Sequence, residues 1–170
     1  MTIHSTPDRP TNDQADTDPP APQVVLVAPE IPWNTGNVGR TCLATGSQLH
    51  LVRPLGFSLD ARRVKRAGLD YWQHVEPHIW PSWDAFAEAI PDLGQPTLFS
   101  AEGTVDLWQA DLGERPVLIF GSETSGLPTA VRQRFSDRLV RLPMAQGPVR
   151  SLNLSTSVAV ALYEVLRRRA

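Results

Sequence analysis

From Val24 onward, short runs of apolar, often β-branched residues alternate with segments whose apolar positions recur at helical spacing. Val24–Ala28 (VVLVA) is continuously apolar and ends at Pro29, the pattern of an interior parallel strand covered on both faces. Gln48–Val52, closed by Pro54, reads as the next strand, followed by Pro96–Ser100 and Val117–Phe120; Arg138–Leu142 reads as an edge strand. The intervening pattern predicts a helix from about Gly36 to Thr45, stopped by Gly46, and a short one capped by Asp60 that runs through Ala67, with Gly68 past its end. Ser82 caps a helix to Ile90, and Pro128 suits the first turn of another that ends near Phe135. In the last segment, Asn153–Arg169, residues Leu154, Val158, Ala161, Leu162, Val165 and Leu166 form one continuous helical stripe, which must pack on the sheet or on another subunit. Arg167–Arg169 stand at its carboxyl end, where cations complement the helix dipole; RNA contact is the other reading of the triplet. Strands alternating with helices make the class α/β, with ligands expected beyond the carboxyl ends of the strands.

Composition divides the chain unevenly. Residues 1–23 hold four aspartates, one arginine, five prolines and only four apolar side chains (Met1, Ile3, Ala15, Ala21). So little apolar surface cannot offset the entropy of ordering, so the stretch reads as a disordered, acidic, proline-rich tail; an arm that orders on a partner is the alternative. Residues 24–170 are expected to form a single domain. The tail carries −3 of the formal net charge of −2, which leaves the domain at +1, far from a charge that would coat nucleic acid indiscriminately. No apolar run approaches the roughly 18 residues of a membrane span, and no charged-then-apolar leader opens the chain, so a cytoplasmic location is expected. The lone Cys42 can form neither an intrachain disulfide nor a thiolate cluster and reads as a small packing residue. His74 and His78 have helical spacing, but Pro77 breaks the helix they would need, so no metal site is expected. Neither a dinucleotide G-x-G-x-x-G nor a P-loop fingerprint is present.

Three glycine-rich polar loops follow predicted strands. In the first, Pro32–Arg40 (PWNTGNVGR), Asn34, Gly36, Asn37 and Gly39 allow a tight turn, and Arg40 is expected near the start of the helix. An arginine gains nothing from the dipole there; a phosphate or developing oxyanion would account for it, and so would simple surface exposure. The second, Gly121–Pro128 (GSETSGLP), sets the carboxylate of Glu123 among the hydroxyls of Ser122, Thr124 and Ser125. Capping of the following helix explains the hydroxyls but not Glu123 or the paired glycines. In the third, Leu142–Ser155, a Pro-Gly-Pro-like loop leads to Arg150, Ser151 and Asn153 at the opening of the last helix, a place that suits an anion or a polar ligand, with Ser151 or Asn153 as plain N-cap on the simpler view. Arg62, Arg63, Lys65 and Arg66 form a basic cluster that, with Arg150, suits phosphate contact; a solvated helix face is the bland reading.

Together NTGNVGR, FGSETSGLP and LPM followed by RSLNLSTSVAVALYE resemble the three motifs of the SPOUT superfamily of RNA methyltransferases, over about Val24 to Arg168. GFSLDARRVKRAGLDYW further resembles a block typical of the small tRNA 2′-O-methyltransferases that act on the wobble nucleotide. The resemblance implies a mostly parallel sheet flanked by helices, with a C-terminal trefoil knot, and S-adenosyl-L-methionine as cofactor. Matched motif by motif, it implies cofactor contacts at Ala101, Gly121, Leu127, Leu142, Met144, Ser151 and Leu152. It also implies a site in which Arg40 acts on the ribose hydroxyl, positioned by Asn34, Glu123 and Asn153. The implied partners are tRNA and a second copy of the chain, the dimer joined through the apolar stripe of the last helix and the first-motif helix. Methylation of another tRNA or rRNA nucleotide, or RNA binding without catalysis, are the alternatives.

Overall fold

The computed structural model describes residues 19–59 and 71–170. The helix expected from Asp60 to Ala67, the cluster Arg62, Arg63, Lys65 and Arg66, and all of the acidic tail before Pro19 lie outside the described residues. The elements, in chain order, are β1 (Gln23–Val27), α1 (Pro32–Thr45), β2 (Gln48–Val52), β3 (His78–Trp80), α2 (Trp83–Leu93), β4 (Gln95–Phe99), β5 (Val105–Asp106), β6 (Pro116–Phe120), α3 (Thr129–Arg134), β7 (Leu139–Arg141) and α4 (Leu154–Arg169). Single 3₁₀ turns at Trp72–His74 and Ser136–Arg138 join some of them. The strands form one sheet in the order β3-β2-β1-β6-β4-β7-β5, and every pairing in it is parallel.

The apolar runs predicted as strands are the centre of this sheet. Because side chains alternate across a strand, β1 sends Val24 and Leu26 to one face and Val25 and Val27 to the other. On the first face Val24, Leu26, Leu118 and Phe120 pack with α1 and α4, and on the second Val25, Val27, Val117 and Ile119 pack with Phe86 and Ile90 of α2 and Val131 of α3. The predicted stripe of α4 is consumed here: Val158, Ala161 and Leu162 are fully buried, and Leu154 and Val165 nearly so. It packs on the sheet of its own chain, which removes it as the surface for a second copy. Cys42 is buried in the same cluster, and burial pushes its thiol up to about 12, out of reach of nucleophilic chemistry near neutral pH.

Two boundaries differ from the sequence expectation. The helix expected from about Gly36 starts a turn earlier, so Pro32–Thr35 is helix rather than turn: α1 begins at Pro32, whose missing N–H costs nothing in a first helical turn. The strand after α3 is not at the edge, because β5, two residues long, pairs outside it. β3 also went unread; its exposed His78 and Ile79 lack the apolar run of the central strands. The arginines that end α4 are used within the fold. Arg167 and Arg168 donate to the buried carboxylate of Glu164, Arg168 also reaches Leu107 O and Ala110 O at 2.6 and 2.5 Å, and Arg169 reaches Glu114 O. The Arg167 hydrogen bonds, opposed by burial and assisted by Arg168, hold the Glu164 carboxyl down to about 2. No described helix is long and apolar enough to cross a membrane.

Candidate active site

The parallel strands deliver their following loops to one end of the sheet, and a cleft of about 540 Å³ opens there. Its walls come from the start of α1 (Ile31, Asn34), the loop after β4 (Ser100–Glu102), the loop after β6 (Gly121–Leu127) and the segment from Leu142 to the first turns of α4. Phe99 and Phe120, the last residues of adjacent strands, stack at its base with ring centroids 4.4 Å apart. All seven residues expected at a cofactor, Ala101, Gly121, Leu127, Leu142, Met144, Ser151 and Leu152, line this cleft, and so does Arg150.

The loop after β6 closes on itself. Ser122 and Gly126 exchange backbone hydrogen bonds at 3.1 and 2.9 Å, and Ser125 N–H donates to Ser122 Oγ. A Cβ at Gly121 would lie 2.0 Å from the carbonyl carbon of Gly126, so only glycine permits this closure. The hydroxyls do not cap α3: its N-cap is Pro128, whose side chain accepts no hydrogen bond from the helix. The closed loop aims Glu123 at the amino end of α1. Oε2 accepts from Glu30 N–H at 2.8 Å, and Oε1 accepts from Ile31 N–H at 3.2 Å and from Asn34 Nδ2 at 2.9 Å. The N-cap residue of α1, Ile31, has no capping side chain of its own, so Glu123 supplies that function from a distant loop, where a negative charge also suits the helix dipole.

From Asn34 the line continues. Its Oδ1 accepts from Asn153 Nδ2 at 2.9 Å, and Asn153 Oδ1 in turn accepts from Ser155 N–H and Thr156 N–H, which makes Asn153 the N-cap of α4. Glu123, Asn34 and Asn153, separated by up to 119 positions in the chain, thus form one hydrogen-bonded row across the cleft. These bonds also settle both amide orientations, since each nitrogen faces an acceptor.

Arg40 is elsewhere. It stands in the middle of α1, more than two turns from the amino end, exposed, and does not line the cleft. Its position follows from the early start of α1, which moved the helix end back to Pro32. The guanidinium lies 4.6 Å from the centre of the Tyr71 ring, and the Tyr71 hydroxyl donates to Gly36 O at 3.0 Å. Burial raises the Tyr71 hydroxyl above its ordinary range, and the Arg40 charge beside it partly offsets this. The structure therefore unites three of the four expected site residues and holds the fourth on an aromatic platform on the outer side of α1.

Residues that sequence reasoning passed over also shape the cleft. Arg132 of α3 pairs with Glu102 in its wall, and Arg132 Nε is buried with no hydrogen-bond partner among the described residues. Glu30 accepts from Thr124 N–H at 3.1 Å and from Thr124 Oγ1 at 2.6 Å. Its only sequence signal is a charged residue in the short link between β1 and α1.

A model of the SpoU rRNA Methylase family matches residues 21–163. The chain is 48% identical over 147 residues to a tRNA (cytidine(34)-2′-O)-methyltransferase of Burkholderia ambifaria, a match covering 85% of this chain and 94% of that one. Among solved structures, one described as "Structural insights into the 2-OH methylation of C/U34 on tRNA" superposes with a TM-score of 0.81 at 48% identity, covering 89% of this chain and 98% of the other. An AdoMet-bound rRNA methyltransferase from Sinorhizobium meliloti matches at 27% identity with a TM-score of 0.71, over 90% of this chain and 58% of that one.

Proposed function

The chain belongs to the SpoU methylase family, and from that premise we propose that it transfers a methyl group from S-adenosyl-L-methionine to the ribose 2′-hydroxyl of the wobble nucleotide, cytidine or uridine 34, of tRNA. The observation that carries the reading is the row Glu123–Asn34–Asn153 drawn across a cleft whose walls come from all three motif loops. Near-half identity to relatives named for this reaction supports the choice of substrate.

The cleft fits the cofactor by the chemistry of its lining. Gly121, Leu127, Leu142, Met144 and Leu152 offer backbone groups and apolar surface of the kind a neutral purine and a thioether chain require, and Ala101 and Ser151 complete that set. When bound, S-adenosyl-L-methionine supplies a methyl group on a sulfonium, which departs as a neutral thioether, so the protein's task is alignment and activation of the hydroxyl. Asn34, Glu123 and Asn153 hold the floor of the reaction site in one geometry. Arg40 stands outside the cleft of its own chain, so it reaches the reaction site where a second copy brings it there. From that place it binds the phosphate beside the target nucleotide and stabilises the developing alkoxide. As a guanidinium it remains protonated and does not act as base, the hydroxyl proton leaving to solvent. Arg150, exposed at the cleft, and the cluster Arg62, Arg63, Lys65 and Arg66 supply further phosphate contacts.

The working unit we infer is a cytoplasmic homodimer with a trefoil-knotted C-terminal half. With the α4 stripe buried, a second copy would seat on the outer sides of α1 and α4, where Trp33 and Tyr163 are each 57% exposed. An interface there would put Arg40 at the junction of the two copies. The test is incubation of the full chain with labelled S-adenosyl-L-methionine and bulk tRNA, with ribose methylation mapped nucleotide by nucleotide. Methyl on ribose 34 is expected. Transfer to ribosomal RNA alone would overturn the substrate, and transfer to neither would overturn the activity.

A further inference from the structure

We infer that Glu30 is a positioning residue for methyl transfer: it locks the loop after β6 to the start of α1 and so holds the row Glu123–Asn34–Asn153 in place. The lock is reciprocal. Glu123 accepts from the backbone N–H of Glu30 and Ile31, while the Glu30 side chain accepts from the backbone N–H and the hydroxyl of the next residue, Thr124. Two adjacent residues of one loop are thereby paired with two adjacent residues of another, and neither loop can slide or rotate against its partner without breaking at least one of these bonds.

The backbone around Glu30 is restrained to receive this pairing. Ala28, at the end of β1, takes a φ of 50°, a conformation that costs an L-residue energy and turns the chain out of the sheet. Gly56 passes so close that a Cβ there would lie 2.7 Å from Glu30 Cα, and Gly56 N–H donates to Pro29 O at 2.9 Å. The Glu30 backbone is thus held on one side by Gly56 while its side chain reaches across to Thr124. Deleting that side chain leaves the Thr124 groups exposed to water, where they find other partners, so the fold persists while the aim of Glu123 loosens. The effect reaches the chemistry through Asn34, because Glu123 Oε1 is the acceptor that orients the Asn34 amide.

The inference rests on the methyl-transfer reading, and the experiment separates the two. Wild type, Glu30→Ala, Glu30→Gln and Thr124→Val are compared for kcat and KM with tRNA, for S-adenosyl-L-methionine affinity by calorimetry, and for Tm. Failure of the wild type to methylate tRNA would remove the reading itself. With an active wild type, Glu30→Ala is expected to lower kcat roughly ten- to a hundredfold, since small misplacements of reacting groups have effects of that size, with KM for tRNA changed less than about twofold. Glu30→Gln, whose amide oxygen still accepts from Thr124, is expected to restore most of kcat. The double variant Glu30→Ala/Thr124→Val should lose no more than Glu30→Ala alone, because both remove one contact. A kcat for Glu30→Ala within twofold of wild type would overturn the inference, and so would a Gln variant as impaired as Ala or additive losses in the double variant.

Discussion

His50 shows how one buried side chain makes the stability of this fold depend on pH. It is 3% exposed; its Nδ1 accepts from Trp80 Nε1 at 3.0 Å, so its Nε2 carries the proton that bonds Gln23 Oε1 at 2.7 Å. Burial, reinforced by His78, lowers its pKa to about 4. Between pH 6.5 and about 4 the unfolded chain therefore binds a proton that the folded one refuses, and stability falls as pH falls through that window, by about 3 kcal/mol in all. Denaturant midpoints measured from pH 7 to 4 should show this slope, and His50→Gln, which keeps polar groups but does not titrate there, should flatten it. Arg40 is the residue to which the proposed mechanism gives the reacting oxygen. Arg40→Lys keeps the charge but loses the planar fork and its fit to the Tyr71 ring, so kcat for tRNA methylation should drop about tenfold or more. Calorimetry should find S-adenosyl-L-methionine affinity unchanged, since Arg40 does not line the cleft; turnover near wild type would remove it from the reaction.

At the scale of elements, α4 joins the core to the site. It packs on α1 and on the sheet through side chains with no exposure, and its first turn carries Asn153 into the site. Leu162→Ala, deep in that contact, should cost about 2 to 5 kcal/mol in equilibrium unfolding. Asn153→Ala should cost about 1 kcal/mol as a lost N-cap, while methyl transfer falls much further than stability, because the same amide also holds Asn34. Most elements were legible because their signals are local. β1 and β6 are apolar runs and β2 and β4 partly apolar ones, with proline or glycine near their ends, and the α4 stripe is unbroken over more than three turns. The start of α1 was misread for the opposite reason: its cap is Glu123, more than ninety positions away, so a stretch rich in asparagine and glycine looked like a turn. β3 and β5 are short, partly exposed edge pieces whose strand character comes from the neighbour they pair with.

At the scale of the whole molecule, the cleft walls found among the described residues all lie between Ile31 and Ser157. Removal of residues 1–18 should leave tRNA methylation within about twofold of the full chain in a direct kinetic comparison, and loss of activity would assign that segment a role in the enzyme. The cofactor candidates came from the motif resemblance, and they line one cleft because their segments follow parallel strands, Ser151 and Leu152 by way of the longer link from β7 to α4. That placement is enough in an α/β fold, where strand ends converge at one end of the sheet. The alternation of apolar runs and helical stripes by itself determined the class of fold, the strands at its centre and the three loops that bear function. Only the tertiary structure decided that Glu123 caps α1, that Glu30 answers it across the same gap, that the α4 stripe is spent inside its own chain, and that Arg40 rests on Tyr71 outside the cleft. The physical reason is range. Periodicity and turn chemistry act over a few residues and leave their mark in sequence order, whereas a hydrogen bond between residues about a hundred positions apart leaves none until the sheet brings its loops together.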